Sequence, residues 1–139
     1  MIEDGDDGAF VVFGTLVPAA LQAAHKLRDE GIHVAVVNAR FAKPLDRETI
    51  VPLVDRMPFV ITAEEGTLQG GFGSAVLEAC NAERVDTRNV IRLGIPDRFI
   101  EHAERAELLA DRGLDVEGLC RAARRAFAQG REEDLSTVG

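Results

Sequence analysis

The sequence predicts an α/β domain built on a largely parallel sheet. Short β-branched runs alternate with amphipathic helical stretches along the whole chain, the pattern of strands joined by crossover helices. Its 139 residues are the length of one ordinary domain, enough to bury a core without staples. The composition is 46% hydrophobic with seven Phe and neither Trp nor Tyr, so that core must be built mainly from Val, Ile, Leu and Ala.

Residues 9–13 read as a buried strand ending at Gly14. Thr15 is placed to cap the next helix and Pro18 falls in its first turn, where a missing N–H costs nothing. That helix repeats Leu16, Ala20, Ala23/Ala24 and Leu27 on one face, and Gly31 stops it. Residues 32–37 form the second strand; its apolar run between His33 and Asn38 suggests a central position. Pro44 and Asp46 open a second helix carrying Ile50, Leu53 and Val54, and Pro58 ends the turn before a third strand at 59–63. A loop from Glu64 to Gly73 leads into a helix over about 74–83, and residues 90–93 give a fourth strand. Two helices follow, 103–112 ended by Gly113 and one over about 115–128 capped by Asp115, with Val116, Leu119, Cys120, Ala123 and Phe127 on its apolar face. Residues 1–8 read as a solvated linker and 129–139 as a polar, aperiodic tail.

The formal net charge of −8 is opposite in sign to the basic footprint that nucleic acid or an anionic membrane requires. No apolar run approaches the ~18 residues of a membrane span, and the acidic amino terminus is unlike a signal peptide, so a cytoplasmic protein is expected. Cys80 and Cys120 sit within apolar helical patterns and read as small buried hydrophobes, not as a disulfide or zinc pair.

The local feature with most chemical content is Glu64-Glu65-Gly66, followed by Gly70-Gly71-Phe72-Gly73. A glycine-rich loop between strand end and helix start suits a phosphate, yet no Lys follows as in a P-loop, Val76 occupies the third-glycine place of a dinucleotide fingerprint, and two carboxylates repel an anion. Adjacent Glu64 and Glu65 in an extended segment point apart and do not make a carboxylate dyad. The favoured reading is that the glycines permit a tight turn and close packing, with the acids bonded to backbone or to a partner surface. His25, His33 and His102 are scattered without ligand spacing. Asp4, Asp6 and Asp7 resemble a calcium loop only until Gly8 falls where an oxygen ligand is needed. No Ser or Cys lies in a nucleophile elbow. The residues therefore supply no catalytic, cofactor or metal site of their own.

Several segments nevertheless carry a resemblance: Gly14-Thr15-Leu16-Val17, Val36-Val37-Asn38-Ala39-Arg40-Phe41-Ala42-Lys43-Pro44-Leu45-Asp46, Ile61-Thr62-Ala63-Glu64-Glu65-Gly66, Gly70-Gly71-Phe72-Gly73-Ser74 and Leu93-Gly94-Ile95-Pro96-Asp97-Arg98-Phe99-Ile100-Glu101-His102. In this order and spacing they resemble the carboxy-terminal, third domain of the 1-deoxy-D-xylulose-5-phosphate synthase family, over residues 9–128. The β subunits of 2-oxoacid dehydrogenases are similar through the Pro-Leu-Asp and Glu-Glu-Gly stretches only and are the alternative within the superfamily. A stand-alone protein-docking domain is the alternative of another class. The resemblance implies a three-layer α/β/α transketolase C-terminal-like domain with about five strands, mostly parallel, and one antiparallel edge strand. It implies a homodimeric parent enzyme that uses thiamine diphosphate and Mg²⁺ to condense pyruvate with glyceraldehyde 3-phosphate for isoprenoid synthesis. Both cofactors would be held by amino-terminal thiamine-binding domains, so no catalytic residue carries over and the isolated chain is expected to be inactive. Glu64, Glu65, Gly66, Gly70, Gly71, Phe72 and Gly73 are the expected interface to those domains.

Overall fold

The computed structural model describes residues 3–12, 16–38, 47–64, 72–94 and 115–138. Four strands, β1 (Gly8–Val12), β2 (Val34–Asn38), β3 (Val60–Glu64) and β4 (Val90–Gly94), alternate with helices α1 (Val17–Asp29), α2 (Arg47–Arg56), α3 (Phe72–Ala82) and α4 (Val116–Val138). The sheet runs β2-β1-β3-β4 and every strand pair is parallel. The expected helix over 103–112, the Thr15 side chain and the Pro44–Asp46 helix start lie outside the described residues.

Both faces of the sheet are covered, which makes the architecture three-layered. On one face α1 and α4 bury Leu27, Ala23, Leu119 and Ala123 against Phe10, Val12, Val36 and Ile61. On the other, α2 and α3 bury Ile50, Leu53, Val76 and Cys80 against Ala9, Val11, Val37 and Val60. Strand side chains alternate between these two cores, so strands buried on both sides read as continuous apolar runs. That explains one correction: β2 is not central but terminal in the sheet order. Its apolar run reports two covered faces and says nothing about its edges.

A second difference concerns the antiparallel element. Four strands are described where about five were expected. Among the described residues the antiparallel pairing is a single bridge between Glu3 and Val36 on the outer edge of β2, with Glu3 N–H donating to Val36 O at 3.3 Å and Val36 N–H to Glu3 O at 3.0 Å. The segment read as a solvated linker is thus partly docked.

Helix ends follow local chemistry. At α1 the N-cap is Leu16, which makes no side-chain cap bond, and Pro18 lies in the first turn. Its other end is a Schellman turn: Gly31 at φ +85°, Gly31 N–H to Arg28 O at 3.0 Å and Ile32 N–H to Leu27 O at 2.9 Å. Asp115 caps α4, its Oδ1 accepting from Gly118 N–H at 2.8 Å. From there α4 runs on to Val138, ten residues past the expected end near Ala128. A single Gly130 costs a helix only about 1 kcal/mol against Ala and does not stop it.

Ion pairs tie α1 to its neighbours: Arg28 Nη2 to Glu3 Oε1 at 2.6 Å, Arg124 to both Glu30 oxygens at 2.8 and 2.7 Å, and Lys26 to Glu117. The side-chain hydrogen bonds from Arg28, Arg124 and Lys26 hold Glu3, Glu30 and Glu117 below the usual carboxylate range. A carboxyl depressed in the folded state stabilises above its unfolded value, about 4.3 for Glu, and that contribution is lost as pH falls through the folded value. Below the isoelectric point near 4.9 growing positive charge acts in the same direction. Urea midpoints measured from pH 7 to pH 3 are therefore expected to hold down to about pH 5 and then drop. A flat profile would remove these pairs from the account of stability, which is modest for each because all are solvent-exposed.

Candidate functional site

The strand order places a topological switch point between β1 and β3. From β1 the chain crosses to β2 on one side, then returns past β1 to β3 and β4 on the other. In open parallel sheets the crevice for a ligand or partner lies beyond the carboxyl ends of the strands at such a point. Here that edge is marked by Val12 and Glu64, the last residues of β1 and β3.

Of the residues singled out in the sequence, Glu64 ends β3 with its backbone paired to Gly94, and Phe72 opens α3. Glu65, Gly66, Gly70 and Gly71 lie outside the described residues. Gly73 is the informative one. A Cβ there would stand 3.0 Å from Arg92 Nε and 3.1 Å from Thr62 Oγ1, so the first turn of α3 approaches β3 and β4 as only glycine permits without displacement. This is the close packing expected from the glycines of this loop.

Around Gly73 the structure assembles polar residues that sequence reading passed over. Thr62 is 2% exposed and pairs in register with Arg92 across β3 and β4; Arg92 Nη2 donates to Ser74 Oγ at 2.9 Å. The cluster ties the amino end of α3 to β3 and β4. A hydroxyl in the apolar run Val60–Glu64 and a cation within Val90–Gly94 were the signals available.

The other candidates disperse. His25 on α1 is exposed, 3.4 Å from Glu3 Oε2. His33 uses its backbone N–H to bond Asp7 Oδ2 at 2.7 Å, and His102 lies outside the described residues. Cys80 and Cys120 are buried in opposite cores, so they cannot meet, and burial pushes both thiols above their ordinary range. A cleft of about 370 Å³ opens at the opposite, amino edge of the sheet, lined by Asp55, Phe59, Asp86, Arg88, Asn89 and Gln129 among others. There Arg88 is engaged by Asp86 at 2.8 Å. Asn89 Nδ2 donates to Val54 O at 2.9 Å and Met57 O at 2.8 Å, closing the end of α2. Among the described residues no three His, Cys, Asp or Glu side chains converge as metal ligands. Mg²⁺ on a diphosphate is held by one or two carboxylates together with water and the phosphates; here Glu3, Glu30, Asp86 and Glu117 are each bonded to Arg or Lys instead.

A doubly wound α/β/α domain, with helices on both faces of a parallel sheet, is the class that the fold defines. The chain belongs to the transketolase C-terminal domain family, which matches residues 1–119. It is 50% identical over 127 residues to 1-deoxy-D-xylulose-5-phosphate synthase 1 of Geobacter sulfurreducens, covering 91% of this chain and 20% of that protein. It is 44% identical over 135 residues to the 1-deoxy-D-xylulose-5-phosphate synthase of Rippkaea orientalis, covering 97% and 21%. The chain therefore spans about a fifth of the length of these relatives. Among solved structures it superposes on a split-gene transketolase described as an inactive β4 tetramer, with a TM-score of 0.76 and 35% identity over 91% of this chain and 41% of that one. A transketolase from Pichia stipitis matches at a TM-score of 0.64 and 19% identity, covering 94% and 18%, which speaks for the fold alone. These relatives favour the synthase over the 2-oxoacid dehydrogenase alternative.

Proposed function

We propose that this chain is the carboxy-terminal docking domain of a 1-deoxy-D-xylulose-5-phosphate synthase, in which upstream thiamine-binding domains perform the reaction. One observation carries the reading: half-identity to such a synthase over nine-tenths of the chain, from a segment one-fifth of that enzyme's length. The donor chemistry supports it, since the carboxylates Glu3, Glu30, Asp86 and Glu117 are each bonded to Arg or Lys side chains. Thiamine diphosphate with Mg²⁺, when bound by the parent enzyme, supplies the stabilised carbanion that joins pyruvate to glyceraldehyde 3-phosphate. The contribution of this domain is packing. Residues 64–73, anchored through Gly73, Ser74 and Arg92, present the surface that meets the upstream domains, and the parent works as a homodimer.

Interdomain contacts of this kind bury about 600–1,500 Å² and are partly polar. The purified chain is expected to bind the isolated upstream region of the Geobacter sulfurreducens relative in a calorimetric titration, with Arg92→Ala weakening that binding. No binding by the unaltered chain, with both partners folded, would sink the docking role.

A further inference from the structure

We propose that residues 3–7 are a built-in clip that orients the polypeptide entering this domain and delivers it over the carboxyl edge of the sheet. This deepens the docking role and rests on it for the identity of what arrives, the upstream thiamine-binding domains; the clip itself rests on geometry in this chain alone.

Four features build the clip. Glu3 forms its two-bond antiparallel bridge with Val36. Because β1 occupies the inner side of β2, that bridge lies on the outer edge. Next, the chain passes so close to the start of β2 that a Cβ on Gly5 would stand 2.5 Å from His33 O, 2.6 Å from Val34 C and 2.7 Å from Ala35 N. These are backbone atoms and cannot swing aside, so the approach needs glycine. Third, Asp7 closes a ring with His33: Asp7 N–H donates to His33 O at 2.9 Å, and His33 N–H donates to Asp7 Oδ2 at 2.7 Å. Last, the Glu3 carboxylate reaches Arg28 at 2.6 Å and His25 at 3.4 Å on α1. The segment thus wraps the amino end of β2 from its outer edge before entering β1.

The direction follows from the register. In an antiparallel bridge, moving back from Glu3 towards the amino terminus moves forward along β2, from Val36 towards Asn38. The incoming polypeptide therefore arrives beside the carboxyl ends of the strands, the same edge as the end of β3 at Glu64 and the start of α3 at Phe72. The cleft around Asn89 lies at the other edge. Two separate parts of the chain, far apart in sequence, thereby select one surface for the upstream domains.

A nitroxide on a cysteine added ahead of Met1 tests this in the chain as it is; Cys80 and Cys120 are buried and stay unlabelled in the folded protein. A five-residue strand spans about 16 Å, enough to separate its ends by paramagnetic broadening. The amide signal of Asn38 is expected to be lost, while those of Val34 and Val90 are kept. Gly5→Val is expected to abolish the contrast. Asp7→Ala, which leaves the core untouched, is expected to weaken it should Gly5→Val fold poorly. Equal broadening at both ends of β2, stronger broadening at Val34, or a contrast unchanged in both variants would overturn the clip. Any of these would leave binding of the upstream region untouched as a separate measurement, so the two ideas fail separately.

Discussion

Truncating Phe10 to alanine is expected to destabilise the domain by about 3–5 kcal/mol, the largest effect of any single change considered for this chain. Phe10 is fully buried in the middle of β1, paired in register with Val36 on one side and Ile61 on the other. It belongs to the core that α1 and α4 cover, with Leu27 and Leu119. Removing the ring forfeits its transfer free energy and leaves a cavity between two helices and three strands that cannot collapse onto it. Since a domain of this kind is stable by about 5–15 kcal/mol in total, the variant sits near the threshold of folding. Urea unfolding checks it. A loss below about 0.5 kcal/mol, the ordinary range of a surface substitution, would mean that the core is not closed around Phe10.

The second large effect concerns Gly8, the first residue of β1. A Cβ there would fall within 2.3–2.6 Å of three atoms of the Phe59 ring, and Phe59 is itself 2% exposed. Gly8→Ala is therefore expected to cost about 1–3 kcal/mol by overpacking. The origin can be isolated: Phe59→Leu removes much of the ring that the new methyl meets. In the double variant the Gly8→Ala penalty is expected to shrink, a coupling of at least about 0.5 kcal/mol. Strictly additive losses would assign the cost to something other than this contact.

The sequence was legible where the signal is local. The strands stood out because Val, Ile, Ala and Phe run between turn residues, and Asp115 and Gly31 announced their helix ends through side-chain and backbone chemistry confined to a few residues. What was not legible depends on distant partners. β2 looked central because helices cover both its faces, and only pairing reveals that it ends the strand order. Glu3 finds Val36, Arg28 and His25 at separations of more than twenty residues, so nothing near it distinguishes a docked segment from a solvated one. Residues 129–139 read as a polar, aperiodic tail, although Arg131, Glu132 and Glu133 are good helix formers.

The candidate surface divides in the same way. The glycines before α3 pointed to close packing, and Gly73 has it. Thr62 and Arg92 are the atoms Gly73 packs against, yet each is an ordinary residue in its own strand. They become a cluster only when β3 and β4 are laid side by side.

The central claim, that this domain docks while the chemistry belongs to the upstream domains, is tested most directly by one assay. The chain would be supplied with thiamine diphosphate, Mg²⁺, pyruvate and glyceraldehyde 3-phosphate, alone and together with the upstream region of the Geobacter sulfurreducens relative. Formation of 1-deoxy-D-xylulose 5-phosphate is expected only from the mixture, at a rate above that of the upstream region by itself. Product from this chain alone would contradict the account.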